Sequence, residues 1–281
     1  MSDAGERLSR PRQPLPPGAC DCHLHVIGEP ARYPFDARRS YTPAPAALAD
    51  YEQVMQACGI DRAVLVQPSV YGTDNACLLD ALSEAQASGP PLRAVAVPAA
   101  DASDEVLEAM HALGVRGVRL NLVNPQVLGV DDGIALVERM RHRGWHLQLH
   151  LRLDAAGERL LADLAERTAS PLVVDHFGRP PPGPAPAAML DLLASGRAWV
   201  KLSASYRVGS TPGRGELVSL ARALVEGNPD RVLWGSDWPH TELTEPPPRD
   251  GDLVDELAAW LPEAGLREKV GVANPAVLYG F

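Results

Sequence analysis

The amino-acid sequence predicts an α/β protein of a single domain, a closed (β/α)8 (TIM) barrel. Eight short apolar runs are each followed by a segment with helical apolar spacing, and this strict alternation is typical of a parallel sheet. The runs are continuous, as expected for strands that are covered on both faces. No G-x-G-x-x-G pattern follows the first run, which disfavours a dinucleotide-binding sheet. A miscount by one repeat would leave an open doubly wound sheet as the alternative.

The strands are predicted where apolar runs are bounded by turn residues. A polar, proline-rich leader occupies residues 1–17, so the barrel is expected to span residues 18–281. The first strand, 19–26, precedes a long irregular loop with four prolines between residues 28 and 45. The other strands are predicted at 62–67, 92–97, 115–122, 145–151, 172–175, 199–202 and 231–234.

The helices are predicted where apolar residues recur every three or four positions. They span residues 46–58, 75–88, 103–113, 132–143, 157–168, 187–195, 216–226 and 252–261. The third begins with Ser103 and has Glu105 near its start, a pattern typical of a capped helix. Six helices are expected to end at a glycine: Gly59, Gly89, Gly114, Gly144, Gly196 and Gly227.

Composition restricts the partners. The net charge of −10 and pI of about 5.3 argue against nucleic acid, while a local arginine cluster could still bind an anionic small substrate. No apolar run reaches the roughly 18 residues of a membrane span, and the N-terminus lacks the apolar core of a signal peptide. The four cysteines have no zinc-ribbon spacing and are expected to be reduced. We expect a cytoplasmic protein with neither nucleic acid nor membrane as partner, and a homo-oligomer is compatible with the sequence.

Reactive side chains gather where the predicted strands end, the edge at which barrel enzymes carry their chemistry. Five of the eight histidines fall at this edge. Of the others, His111 and His142 lie on helices, where we expect solvent, and His146 lies at the opposite end of strand five. The edge residues are His23, His25, Ser69, Tyr71, Arg119, Asn121, His150, His176, Arg179, Lys201, Ser203, Tyr206, Arg207, Asp237 and His240.

These residue types suggest hydrolytic chemistry. His23, His25, His150 and Asp237 make a ligand set that suits one Zn²⁺ with an open position. Asp237 could instead, or in addition, take a proton from an attacking water. His176 could orient a carbonyl or protonate a leaving oxygen.

The basic residues suggest an anionic substrate. Guanidinium groups that converge from different strands bind carboxylates, which makes Arg119, Arg179 and Arg207 candidate substrate ligands. Lys201 could bind the substrate, form an ion pair with Asp21 or place a charge at the edge of the core. Further candidate substrate contacts are Ser69, Tyr71 and His240.

In seven segments at or near the strand ends and at the C-terminus, the sequence resembles the amidohydrolase superfamily, in the branch that contains 2-pyrone-4,6-dicarboxylate lactonase and related sugar-acid lactonases. The resemblance covers nearly the whole chain from Gly18, and its most specific pieces follow strands six and eight. The matching segments are DCHLH (21–25), GTDN (72–75), GVRLN (117–121), DHFGRP (175–180), VKLS (200–203), GSDWPH (235–240) and NPAVLYG (274–280).

The resemblance implies a distorted (β/α)8 barrel that hydrolyses a lactone. It implies that Asp237 is the general base and that His23, His25 and His176 polarise the ester carbonyl. It also implies that the three candidate arginines hold substrate carboxylates. Some members of this branch bind one zinc and others bind no metal, so we expect either no metal or one Zn²⁺.

Three departures from the dicarboxylate lactonase pattern leave the substrate open. Residues 124–126 (NPQ) stand where a further basic residue is expected, and no histidine lies near Tyr71. His150 stands where a tyrosine-like residue is expected, which favours a metal. A lactone isomerase of the galactarolactone type, or a zinc-dependent decarboxylase, would fit the same scaffold. A catalytically silent carboxylate-binding protein is the alternative outside enzymes.

Overall fold

Eight parallel strands form the centre of the molecule in the computed structural model, which describes residues 7–124, 127–208, 214–243 and 246–281. They follow one another around the sheet in chain order. The strands are β1 (Cys20–Leu24), β2 (Arg62–Val66), β3 (Leu92–Ala96), β4 (Val115–Asn121), β5 (His146–His150), β6 (Leu172–Val174), β7 (Ala198–Ser203) and β8 (Val232–Gly235). Pro125 and Gln126, two of the residues in the departure after Arg119, lie outside the described residues, as do residues 1–6 of the predicted leader.

The barrel closes between β8 and β1 through the residues that follow β8. The Asp237 N–H donates to the His23 carbonyl at 2.8 Å, and the His25 N–H donates to the Trp238 carbonyl at 2.8 Å. The register is irregular between Asp21 and Leu24 in the β1–β2 pair. The predicted fold class, a distorted (β/α)8 barrel, is therefore confirmed.

A helix follows each strand. They are α1 (Leu48–Cys58), α2 (Ala76–Ser88), α3 (Asp104–Leu113), α4 (Val130–Arg139), α5 (Ala155–Arg167), α6 (Ala187–Ala194), α7 (Arg214–Gly227) and α8 (Asp250–Trp260). The chain ends in α9 (Ala264–Glu268), a π-helical turn (Lys269–Ala273) and α10 (Asn274–Tyr279). The Ser103 side chain accepts from the Val106 N–H and caps α3 as expected.

Several predicted helix ends need correction. The segment predicted as one helix over 132–143 ends at Arg139, and a separate 3-10 turn (Arg141–Arg143) leads to Gly144. Gly227 is the last residue of α7 and not a residue beyond it. Gly59 and Gly114 do end their helices in the left-handed conformation, which costs glycine little because it has no Cβ.

Apolar side chains fill the barrel on both faces of the sheet. The inner cluster includes Val64, Val95 and Leu233, together with the thiols of Cys20 and Cys22. All four cysteines are buried and free, in line with the expected reduced thiols. The larger cluster fills the space between the strands and the surrounding helices.

The described part of the predicted leader is irregular, but it packs on the barrel. The backbone N–H groups of Arg12 and Gln13 donate to Asp255 of α8, and Ser9 accepts from the Gly251 N–H. Across the described ranges, none of the helices combines the length and apolar character that a membrane crossing requires.

Candidate active site

The loops after β6 and β8 contain residues with positive φ, and these residues bring their side chains to the mouth of the barrel. His176, Phe177, Gly178 and Arg179 have φ values of +54°, +57°, +77° and +46° in succession. Asp237 has a φ of +64°. For residues with a Cβ this conformation costs roughly 1 kcal/mol or more, and it is concentrated at functional sites.

Three imidazole rings converge on one carboxylate oxygen at the mouth of the barrel. Asp237 Oδ1 lies 3.6 Å from His23 Nε2, 3.6 Å from His25 Nε2 and 3.7 Å from His176 Nε2. These side chains are almost completely buried. Residues from β1, β6 and β8 therefore meet at a single point, as the sequence analysis expected.

The contacts of the Nδ1 atoms of His25 and His23 bear on whether the Nε2 atom of each ring can donate or accept a hydrogen bond. The His25 Nδ1 lies 2.7 Å from the Val66 carbonyl oxygen, so it carries the proton and donates. The His23 Nδ1 lies 3.2 Å from Asp175 Oδ1 and 3.4 Å from the Lys201 Nζ. Burial lowers the pKa of His23 to about 3, so the ring is neutral. The protein thus engages the Nδ1 atoms of both rings, and their Nε2 atoms face the Asp237 carboxylate.

A buried ionic layer supports His23 from below. The Lys201 Nζ donates to Gln148 Oε1 at 2.7 Å and lies 3.4 Å from Asp175 Oδ1. Gln148 Nε2 donates to Asp175 Oδ2 at 3.1 Å. Burial alone would raise the pKa of Asp175, but His23 and the Lys201 ammonium hold it well below its usual range. Asp175 is thus ionised, and its charge lies beside both His23 and Lys201.

The second oxygen of Asp237 is held by two donors from the segment after β7. Arg207 Nε donates to Oδ2 at 2.7 Å, and the Tyr206 hydroxyl lies 2.8 Å from the same atom. Burial alone would raise the pKa of Asp237, but the Arg207 guanidinium outweighs it and holds the pKa well below its usual range. Asp237 is therefore ionised.

A pocket of about 250 Å³, partly open to solvent, lies over this cluster. The loops after several strands contribute to it, which is the usual construction of a barrel site. Its walls are formed by His25, Tyr41, Ser69, Arg119, Asn121, Asn124, His150, His176, Arg207, Asp237, Thr241 and Glu242. The predicted contacts Ser69, Arg119 and Arg207 are among them.

Four predicted substrate contacts lie outside these walls, and one of them, Arg179, has its Nη1 3.0 Å from His150 Nε2. Lys201 is completely buried beneath the site, and its carboxylate partner is Asp175 rather than Asp21. The Tyr71 hydroxyl accepts the Gly28 N–H at 3.0 Å, so it supports the loop after β1. His240 is buried with its Nδ1 3.0 Å from the Tyr206 hydroxyl. Each of these last three is held by the protein and turned away from the pocket walls.

The ligand set that the geometry favours differs from the predicted one. His23, His176 and Asp237 bring ligand atoms within 4.8 Å of one another. His150 Nε2 instead lies 3.0 Å from Arg179 Nη1, and a guanidinium at that distance competes with a metal for the lone pair. Of the predicted set, His150 therefore lies against a guanidinium, whereas His176, assigned from the sequence to the carbonyl, lies in the cluster.

Several wall residues were not assigned a role from the sequence. Tyr41 comes from the long loop after β1, and Thr241 and Glu242 follow the turn after β8. The Asn124 amide lies 3.3 Å from both carboxylate oxygens of Glu242 and joins two loops at the mouth. The position of these residues in loops that follow strands is the signal that could have identified them.

Comparison with known proteins gives a consistent result. A family model described as Amidohydrolase matches residues 20–281. The 4-sulfomuconolactone hydrolase of Rhizobium radiobacter is 37% identical over 95% of this chain and 91% of its own length. The 2-pyrone-4,6-dicarboxylate hydrolase of Comamonas testosteroni is 35% identical over 96% of this chain and 93% of its own.

Two more distant similarities cover nearly the whole chain. The D-galactarolactone isomerase of Agrobacterium fabrum is 28% identical over 99% of this chain and 97% of its own length. The apo crystal structure of ATU3138 from Agrobacterium tumefaciens superposes with a TM-score of 0.84 at 26% identity, covering 96% of this chain and 98% of that one.

Proposed function

Because this chain belongs to the amidohydrolase family, we propose that it is a hydrolase that opens an anionic lactone by attack of water on the ester carbonyl. One observation carries the proposal: the Asp237 carboxylate faces three imidazole Nε2 atoms in a pocket that Arg119 and Arg207 help to line. Two relatives at 35% identity or more are hydrolases of lactone-type rings, which supports the same reaction class.

In this proposal Asp237 is the general base. Its Oδ1 takes a proton from water, the oxygen of which attacks the acyl carbon of the lactone. The acyl–oxygen bond of the ring then breaks, and the ring oxygen leaves as a hydroxyl after it receives that proton. Water is thus added across one bond, and the products are a carboxylic acid, which releases its proton to solvent, and an alcohol or enol.

Arg119 is the side chain best placed to bind the substrate anion. Its Nη1 donates to the Gln67 carbonyl at 2.9 Å and its Nη2 lies 3.6 Å from Asp175 Oδ2, which together orient the guanidinium, and its Nε has no hydrogen-bond partner among the described residues. Arg207 contributes positive charge to the same pocket while it holds Asp237. An anionic group bound there would fix the ester carbonyl close to the histidines.

The donor set fits a bound cation. The Nε2 atoms of His23, His25 and His176 lie within 3.7 Å of Asp237 Oδ1, and His23 Nε2 lacks a hydrogen-bond partner in the described ranges. His23, His25, His176 and Asp237 would hold Zn²⁺, which prefers nitrogen and carboxylate ligands. When bound, zinc would supply Lewis-acid polarisation of the carbonyl and lower the pKa of water.

The buried His23 Nε2 has no hydrogen-bond partner among the described residues and shares a cluster with a carboxylate oxygen and two more imidazoles, which suits a metal ligand better than a donor to the carbonyl. We therefore favour one Zn²⁺ over the metal-free alternative. The measurement is the zinc content of protein purified without added metal, set beside its activity after chelation and after zinc is restored. Full activity in protein without metal would exclude this part of the proposal.

A second candidate is an isomerase, because the galactarolactone isomerase is similar over nearly the whole chain. Hydrolysis and isomerisation differ in the nucleophile: water in one case, an internal hydroxyl in the other. A turnover screen with pyrone, muconolactone and aldaric lactones in H₂¹⁸O separates them, since hydrolysis places one ¹⁸O in the product carboxylate. Isomerisation gives a product with unchanged mass.

Asp237→Asn tests the assignment of the base. We expect kcat to fall by about 10²–10⁴-fold, the usual range for general-base catalysis. Wild-type turnover in this variant would show that the base is another group. We further place the enzyme in the cytoplasm, where its four free thiols would remain reduced.

A further inference from the structure

The orientation of the Asp237 carboxylate is fixed from the side opposite the histidines. Oδ1 must face the three Nε2 atoms, and a carboxylate is otherwise free to turn about its last bond. Two donors meet Oδ2: Arg207 Nε at 2.7 Å and the Tyr206 hydroxyl at 2.8 Å. Arg207 also donates to the Thr241 carbonyl, so its guanidinium is shared between two acceptors.

The Tyr206 hydroxyl has a choice of acceptors. It lies 2.8 Å from Asp237 Oδ2 and 3.0 Å from His240 Nδ1, and a phenol has a single proton to donate. The ionised carboxylate is the stronger acceptor because a charge-assisted bond is about twice as strong as a neutral one. Tyr206 therefore donates to Asp237 and accepts from a protonated His240 Nδ1. Donation runs in one direction, from His240 through Tyr206 to Asp237.

We propose that Tyr206 is a positioning residue, which holds the plane of the Asp237 carboxylate so that Oδ1 faces the histidines, with His240 fixing the direction of the phenol proton. This inference rests on the proposed role of Asp237 as the base. Neither Tyr206 nor His240 belongs to the walls of the pocket over the cluster, so they act through Asp237 and not by contact with the substrate.

The geometry also explains why the site uses a tyrosine here. The Tyr206 ring packs edge-on against His240, with centroids 5.8 Å apart, and its centroid lies 5.4 Å from Arg207 Cζ. The ring is therefore held by packing, and its hydroxyl arrives at Oδ2 in a defined place. A phenylalanine would keep this packing and remove only the hydrogen bond.

The test compares Tyr206→Phe with Tyr33→Phe in the full-length enzyme. Tyr33 is a matched control because its hydroxyl also bonds a carboxylate, Asp80 at 2.7 Å, away from the site. On a lactone that the wild type hydrolyses, we expect Tyr206→Phe to lower kcat about 10–100-fold, as expected for a misplaced catalytic group. KM should stay within about threefold because substrate contacts are unchanged. Tyr33→Phe should keep both constants.

Unfolding curves of both variants show whether the enzyme is folded at the assay temperature. A folded Tyr206→Phe enzyme with wild-type kcat would overturn the inference, as would a loss confined to KM. A wild type that turns over no lactone would instead contradict the proposed function. In that case crystal structures still decide: without the phenol, the Asp237 carboxylate should turn away from the histidine Nε2 atoms, and an unchanged carboxylate plane overturns the proposal.

Discussion

Asp21 is the side chain on which closure of the barrel depends, and its replacement tests that conclusion. It is completely buried. Its Oδ1 accepts the N–H of His23 at 3.0 Å and of Ser236 at 2.9 Å, and its Oδ2 accepts the Tyr51 hydroxyl at 2.7 Å. One carboxylate therefore joins β1, the segment after β8 and α1.

Two substitutions separate the hydrogen bonds of Asp21 from its charge. Asp21→Ala leaves three donors without an acceptor, and at about 1–2 kcal/mol for each buried unsatisfied group, the lower part of the usual range, we expect a loss of about 3–6 kcal/mol. Asp21→Asn keeps an oxygen for both backbone N–H groups. Because burial raises the pKa of Asp21, its ionised form is disfavoured in the folded state, and an uncharged amide avoids that cost. We expect Asp21→Asn to lose about 1 kcal/mol.

Thermal unfolding followed by far-UV circular dichroism measures the difference. A chain of 281 residues has an unfolding entropy near 0.6 kcal/mol per kelvin, so Asp21→Ala should lower Tm by about 5–10 °C. Asp21→Asn should lower it by about 2 °C. A Tm for Asp21→Ala within about 2 °C of wild type would refute the reasoning. Equal losses in both variants would mean that the charge, and not the set of acceptors, holds the barrel closed.

Three further predictions concern other parts of the barrel. Burial lowers the pKa of His146 to about 3, so the free energy of unfolding should decrease as pH falls below about 6.5, the pKa of histidine in the unfolded chain. The urea-unfolding midpoint of His146→Leu should therefore depend less on pH than that of the wild type. The same pH dependence in both proteins would contradict this prediction. A Cβ on Gly235 would lie 2.7 Å from His23 Cβ, so Gly235→Ala should lower the free energy of unfolding by about 1–3 kcal/mol and reduce turnover. An unchanged Tm would show that β8 can shift to make room for the methyl group. Glu242 places an exposed carboxylate on the pocket wall, so Glu242→Gln should lower KM about 3–10-fold for a dianionic lactone and less for a monoanionic one at low salt. Equal changes in KM for both substrates would show that Glu242 does not determine the substrate specificity of the site.

The barrel and the main cluster could be predicted because they follow from patterns within short segments. Parallel strands covered on both faces are continuous apolar runs, and their carboxyl ends meet at one edge. The histidines at 23, 25 and 176 and the aspartate at 237 all end or follow such runs, so their convergence needed only the strand count. The resemblance to the amidohydrolases rested on these same segments.

The partner of each side chain could not be predicted in this way. Lys201 follows the strand pattern as well as Arg119 does, yet it is sealed beneath the site because Gln148 accepts a hydrogen bond from it and Asp175 supplies the opposite charge there. Tyr71 and His240 likewise follow strands, but their polar atoms are used by Gly28 and Tyr206. Which atom a long side chain reaches depends on neighbours from distant parts of the chain.

The sequence by itself determined the eightfold alternation, the edge that carries the chemistry and the residue types available there, since each depends on local periodicity and order along the chain. Only the tertiary structure decided which of those residues act together. Successive left-handed residues after β6 turn His176 into the cluster, and Arg179 engages His150 and removes it from the ligand set. The Val66 carbonyl accepts from the His25 Nδ1, and Asp175 and Lys201 lie beside the His23 Nδ1, so that both Nε2 atoms face Asp237. That arrangement arises from contacts between strands far apart in sequence, and local sequence patterns do not predict such contacts.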